Sequence, residues 1–124
     1  NKFNAIVTIL LLTYSFQAFR TSGHFIEYTN EVIGGSKNAY KYFADSNLDW
    51  NQNQSAFEKY LNNHPEIVAV NPRKPTSGII AVNVNEMNLY YYRDYLWLRQ
   101  LGKEPIDNVG FTWLIYKIDE KEII

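Results

Sequence analysis

Between Lys2 and Arg20 the chain carries no charged side chain, and this stretch, Phe3 to Phe19 with Ala5 to Leu12 its most apolar part, is about 17 residues long. That is close to the lower limit of the roughly 20 residues that cross a bilayer as a helix. Three readings fit it: a transmembrane helix, the core of a signal peptide, and a buried or interfacial helix of the domain that follows. The first is favoured. Ser15 to Arg20 makes a poor small-residue cleavage site. Tyr14, Phe16 and Phe19 gather ahead of Arg20, as in an aromatic belt with a snorkelling cation at one interface. One Lys against one Arg does not set the orientation. The chain does not begin with Met, which is expected of a span truncated at its amino end. Residues 1–20 are therefore read as a membrane-anchor helix, and 21–124 as one soluble α/β domain.

A total of 124 residues supports one hydrophobic core rather than two. With 12 Lys and Arg against 13 Asp and Glu, the formal charge is -1, and no basic field exists to hold a phosphate backbone. Nucleic acid is excluded as an expected partner. The absence of Cys removes disulfides, thiolate catalysis and Cys-based metal sites. Aromatic residues are 16% of the chain, with 10 Tyr, which suits a sheet with aromatic edges or a surface that stacks on sugars.

Beyond the anchor, Phe25 to Val32 reads as a linker ending at Gly34-Gly35, where positive φ or close backbone approach is available. Tyr40 to Ala44 is aromatic and partly alternating, the pattern of a first strand. Asp49 and Gln52 have capping-box spacing at the start of a helix running to about Asn63, with Ala56, Phe57, Tyr60 and Leu61 on one face and Pro65 forbidding continuation. Glu66 to Val70 and Gly78 to Val84 are β-branched strands joined by a polar loop, the second apolar on both faces at its start like a covered central strand. Asn88 to Leu101 is a second helix closed by Gly102 and Pro105. It carries two apolar stripes, Leu89, Tyr92, Leu96 and Tyr91, Tyr95, Leu98. Val109 to Ile118 is the last strand. The order predicts a small mixed sheet of about four strands with two main helices packed on it.

The chemistry-bearing residues concentrate in Gly34-Gly35-Ser36-Lys37-Asn38 and Asp45-Ser46-Asn47-Leu48-Asp49-Trp50-Asn51-Gln52. So many groups needing hydrogen-bond partners belong at a surface, a cleft or a helix start. Asp45 and Asp49 could converge as an acid pair, hold substrate hydroxyls or bind a cation with Asn47; turn closure and helix capping are the ordinary alternatives. His24 and His64 are isolated from any triad or ligand spacing, and Gly34-Gly35-Ser36-Lys37 lacks the spacing of a P-loop. Trp50 foremost, then Trp97 and Trp113, could stack on a sugar ring. Nothing calls for a metal or a cofactor.

The order of an apolar helix, Arg20, His24, Tyr28 to Glu31, Gly34-Gly35, Asn38, Tyr40, then Asp45-Ser46-Asn47-Leu48-Asp49-Trp50 and Gln52 resembles a known arrangement. It is that of the carboxyl-terminal extracytoplasmic region of polytopic glycosyltransferases, the protein mannosyltransferase and lipid A aminoarabinose transferase class, which use polyprenyl-phosphate sugars. Tyr95 to Arg99, Pro105 and Val109 to Phe111 are similar to the last helix and strand of that region. The run departs at Asn51 and Asn53, where the family has a glycine and a carboxylate. The resemblance implies a domain on the extracytoplasmic, periplasmic side of a membrane. Asp45, Asn47, Asp49, Trp50 and Gln52 would contact substrate, and Gly34, Gly35 and Asn38 would be structural. The acidic residues expected to transfer sugar lie in a membrane domain this chain lacks, so no catalytic residue is expected here. The chain would then be a fragment, a product of gene splitting or a reused domain that positions substrate or assembles a complex. Expected partners are the membrane, other membrane protein subunits and a polyprenyl-phosphate sugar. Two alternatives remain: an accessory subunit of an unrelated membrane complex, with Tyr91 and Tyr95 at the interface, and a small hydrolase using Asp45 and Asp49.

Overall fold

The computed structural model describes residues 1–20, 22–23, 25–29, 31–44 and 48–123. A helix α1, Lys2–Arg20, is followed by a mixed α/β domain. None of the residues of α1 is buried, which overturns the reading of this segment as a core helix of the domain. By length and composition it is apolar enough for a membrane anchor or a signal segment. Its half-buried Gln17 accepts a hydrogen bond from the Tyr28 hydroxyl at 2.8 Å, so the chain after the helix folds back onto its last turns.

The sheet has four strands, β1 (Ile67–Val70), β2 (Gly78–Asn83), β3 (Asp107–Val109) and β4 (Trp113–Ile118), in the order β1-β2-β4-β3. β1 and β2 are parallel, and the other neighbours are antiparallel. A parallel pair needs its connection to run back the length of a strand. Here β1 has only 4 residues, so the extended polar loop 71–77 suffices without a helix. β2 is a covered central strand, as its apolar run predicts.

Period-two alternation divides the core between the two faces of the sheet. Ile80, Val82, Leu114, Tyr116 and Ile118 pack with Met87, Tyr95 and Leu98 on one face. Ala81, Trp113 and Ile115 pack with Phe57 on the other, where α2 (Gln54–Asn63) lies. The Phe57 and Trp113 rings stack at 3.7 Å with an interplanar angle of 4°.

Four elements differ from expectation. Tyr40 to Ala44 is not a strand: Ser36–Lys41 is a 3-10 helix. Gly34 and Gly35 hold φ of 91° and 69°, and the Asn38 carboxamide donates to Gly34 O at 3.1 Å, so the chain turns before it can extend. The count of four strands survives because Val109 to Ile118 is split into β3 and β4. Gly110 and Phe111, at φ 59° and 62°, make the tight reversal with two left-handed residues that suits a twisted hairpin. The expected helix over Asn88 to Leu101 is broken into a π-helical turn, Glu86–Tyr90, a stretch of turns and a short α3, Leu96–Gln100. Arg99 reaches back to Met87 O and Asn88 Oδ1 and ties the broken segment together. Finally, Asp49 does not cap α2 (Gln54–Asn63), whose N-cap position is Asn53.

Candidate functional site

Strands β1 and β2 run in the same direction and end side by side, and an amide side chain follows or closes each. Asn71, at φ 49°, turns the chain after β1. Its Oδ1 accepts from the Asn83 backbone N-H at 2.8 Å. Asn83 Oδ1 in turn accepts from the backbone N-H groups of Asn85 at 2.9 Å and Glu86 at 3.4 Å, so the side chain that ends β2 also opens the π-helical turn. Asn83 and Asn85 are buried and paired, as buried polar groups must be, and Asn71 is half-buried.

Over this strand end lies the turn 48–52. Asp49 Oδ2 accepts from Asn83 Nδ2 at 2.8 Å, Asp49 O accepts from Asn85 Nδ2 at 3.3 Å, and Asp49 Oδ1 accepts from the Asn51 backbone N-H at 2.8 Å. That last bond, two residues along, is an Asx turn rather than the bond three residues along that a capping box requires. Asn51, with φ 66°, cannot sit inside a helix start, and α2 begins only at Gln54. Gln52 closes the turn from inside: its Oε1 accepts from the Trp50 N-H at 2.6 Å and its Nε2 donates to Leu48 O at 3.1 Å.

The result is a cavity of about 450 Å³ walled by Asp49, Asn51, Asn71, Asn83, Asn85, Glu86 and the aromatic Trp50, Tyr90 and Trp113. Trp50 is 69% exposed, whereas Trp113, 7% exposed, has one face taken by Phe57. Glu86 is held by Arg73, whose Nη2 donates to Oε2 at 3.4 Å and whose guanidinium lies 3.2 Å over the Tyr91 ring. Carboxylates, carboxamides and exposed ring faces together match a polyhydroxylated ligand: acceptors and donors for hydroxyls, aromatic faces for C-H surfaces.

A second network holds the turn in place. Glu27, 1% exposed, accepts from Gln52 Nε2 at 2.8 Å and Asn53 Nδ2 at 2.5 Å. Asn53 Nδ2 also reaches Gly110 O at 2.9 Å and Thr112 Oγ1 at 3.2 Å. Glu27, in the segment after α1, thus ties down the 48–52 turn through Gln52 and reaches the β3-β4 hairpin through the Asn53 carboxamide.

Of the residues singled out from sequence, Asp49 and Trp50 line the cavity and Gln52 shapes it from behind. Asp45 and Asn47 lie outside the described residues, as does His24. Gly34, Gly35 and Asn38 form a turn of their own, Asn38 N donating to Gly35 O at 3.0 Å. Trp97 packs against the core. Tyr95, expected at an interface, is fully buried, and Tyr91 is half-buried beneath Arg73; the exposed apolar side chains of that segment are Leu89, Tyr90, Tyr92 and Leu96. Sequence reasoning missed Asn71, Asn83, Asn85, Glu86 and Tyr90. The available signal was asparagine following each β-branched run. No protein-family model, curated protein or solved structure matches the chain.

Proposed function

We propose that this chain is a membrane-anchored extracytoplasmic domain that positions a carbohydrate-bearing substrate, similar to the terminal region of a polyprenyl-phosphate-dependent glycosyltransferase, and does not itself make the glycosidic bond. The observation that carries the reading is the cavity beside Asp49 and Trp50, with four carboxamides, two carboxylates and an exposed indole around one space. Asn51 adds support. It stands where the resembled family has glycine, and its φ of 66° is the conformation glycine adopts most readily. The anchor is α1, a helix of 19 residues with an aromatic and cationic end. A sugar on a polyprenyl phosphate and the subunits of a membrane enzyme are the partners this reading calls for.

The test is saturation-transfer NMR of the full chain in detergent micelles against a panel of hexoses, amino sugars and pentoses, alongside a transfer assay with polyprenyl-phosphate sugars. Binding by one sugar class that is lost in Asp49→Ala and Trp50→Ala, without transfer, supports the reading. Transfer by the chain alone would remove its non-catalytic part, and no binding by any sugar would remove the rest.

A specific observation favours one alternative, an accessory subunit of a membrane complex. Leu89, Tyr90, Tyr92 and Leu96 are all exposed on one short segment, as at the aromatic centre of a protein interface. Loss of a co-purifying membrane protein on changing Tyr92 and Leu96 to Ser, with sugar binding unaffected, would separate this reading from the first.

A further inference from the structure

The π-helical turn Glu86–Tyr90 borders two cavities. Glu86 and Tyr90 belong to the one beside Asp49, and Met87 and Asn88 belong to a second, of about 320 Å³, whose wall includes Tyr40, Lys41, Arg99, Lys103, Glu104 and Tyr116. The charges of this second wall are unequal. Lys41 pairs with Glu104 Oε1 at 2.8 Å, and Glu104 Oε2 accepts from the Tyr40 hydroxyl at 2.6 Å. Lys103 lies 2.9 and 2.7 Å from the two oxygens of Glu122. Each lysine therefore has its carboxylate.

Arg99 has none among the described residues. Its Nη2 donates to two neutral oxygens, Met87 O at 2.8 Å and Asn88 Oδ1 at 2.5 Å, its guanidinium carbon lies 4.4 Å from the Tyr92 ring centre, and its Nε is buried with no hydrogen-bond partner. The three cations face two carboxylates, Glu104 and Glu122, which leaves one positive charge on a half-buried guanidinium beside open space. A guanidinium cannot give up its proton to relieve burial, and a planar donor fork is suited to a carboxylate or phosphate oxygen pair.

We infer that this cavity is a binding site for a small oxyanion group, a carboxylate or a phosphate ester, with Arg99 as its principal partner and Lys41 and Lys103 beside it. The site is separate from the carbohydrate cavity and does not depend on the reading of that cavity. Asn88 holds the guanidinium in place: while its Oδ1 accepts from Arg99, its Nδ2 donates to Tyr40 O at 2.7 Å, so the arginine is positioned before any ligand arrives.

The experiment is titration of the full chain in zwitterionic micelles with sodium acetate and, separately, inorganic phosphate, following the Arg99 Nε-H resonance, with sodium chloride as the ionic-strength control. A saturable shift with acetate, phosphate or both is expected. Saturation by acetate alone identifies a carboxylate ligand, and saturation by phosphate alone a phosphate one. Arg99→Gln abolishes binding, observed then at the Lys41 and Lys103 resonances, and Arg93→Gln, on the exposed neighbouring turn, leaves it unchanged. Because Arg99 also braces Met87 and Asn88, a second variant guards against misfolding: Glu104→Gln removes a competing carboxylate and tightens binding about fivefold. Shifts that chloride reproduces, or saturable binding that Arg99→Gln and Glu104→Gln leave untouched, overturn the assignment.

Discussion

Asn83 Nδ2 donates to Asp49 Oδ2 at 2.8 Å, joining the end of the central strand to a turn 34 residues earlier in the chain. Because the other Asp49 oxygen accepts from the Asn51 N-H, one carboxylate both fixes the turn and forms a cavity wall. Hydrogen bonds to a charged group contribute about 1.5 to 3 kcal/mol. Asp49→Ala is therefore expected to lower the unfolding free energy by about that amount and to abolish the carbohydrate binding proposed for the cavity. Asp49→Asn keeps one acceptor but sets a carboxamide against Asn83, and is expected to fall between the two. Urea denaturation together with saturation-transfer NMR checks both quantities. An Asp49→Ala protein with unchanged stability would show that the bridge to Asn83 contributes nothing.

Trp50 separates binding from folding. Its indole is 69% exposed, so little apolar burial is lost in Trp50→Ala, and surface substitutions of this kind stay within about 0.5 kcal/mol. Stacking on a ligand would be lost entirely. The expectation is an unchanged urea midpoint with sugar affinity reduced at least tenfold, measured by calorimetry with whichever sugar binds the parent chain. A large drop in stability would place the ring against the protein rather than against a ligand.

What was legible in the sequence divides along the range of the interactions. β2 and α2 declare themselves through local pattern: a β-branched run, and Phe57, Tyr60 and Leu61 at helical spacing before Pro65. Tyr40 to Ala44 carried strand propensity, but the left-handed Gly34-Gly35 turn leads into the 3-10 helix Ser36–Lys41, which takes its first residues; context decides such cases. The broken helix after Asn85 depends on Arg99 reaching back to Met87 and Asn88, a tertiary contact that no periodicity displays. In the site, Asp49 and Trp50 stood out by residue type within one short run. Their partners Asn71, Asn83 and Asn85 come from two strand ends that only the parallel pairing of β1 and β2 brings together.

The left-handed backbone of Asn51, φ 66°, predicts an asymmetry between substitutions. Asparagine tolerates this region, glycine enters it freely, and a β-branched residue does not. Asn51→Gly is expected to be neutral or slightly stabilising, and Asn51→Val to cost about 1 to 2 kcal/mol. Equal stabilities for the two variants in urea would indicate that the turn relaxes out of the left-handed region.

Asn53 donates to Glu27, Gly110 O and Thr112 Oγ1 from one nitrogen, and both Asn53 and Glu27 are buried. In Asn53→Asp the donor becomes an acceptor and faces Glu27 with a second negative charge. Two buried carboxylates side by side repel one another, so the variant is expected to be less stable than the parent at neutral pH. Binding a proton at the carboxyl pair removes the repulsion, so part of the loss is regained as the pH falls toward the carboxyl range. Urea midpoints of both proteins at neutral and mildly acid pH test this: the gap narrows with acid if the two carboxylates face one another, and stays constant if they do not.

The tyrosines make a prediction at the other end of the scale. Burial, then the hydrogen bond to Asp107 Oδ2 at 2.7 Å, pushes the Tyr60 hydroxyl up from 10.0 to about 12. Burial also raises Tyr40, Tyr95 and Tyr116, with Glu104 adding to the effect at Tyr40 and Tyr116. A hydroxyl that holds its proton more tightly in the folded chain than in the unfolded one stabilises the fold fully below pH 10, its unfolded value, and loses that contribution as the pH rises through the folded value. Unfolding is therefore expected to grow easier progressively above pH 10. Tyr60→Phe removes one of these protons and makes the decline shallower while lowering stability at neutral pH. Urea midpoints collected from neutral to alkaline pH for both proteins decide the matter, since parallel alkaline limbs would mean that Tyr60 ionises in the folded domain as readily as in the unfolded chain.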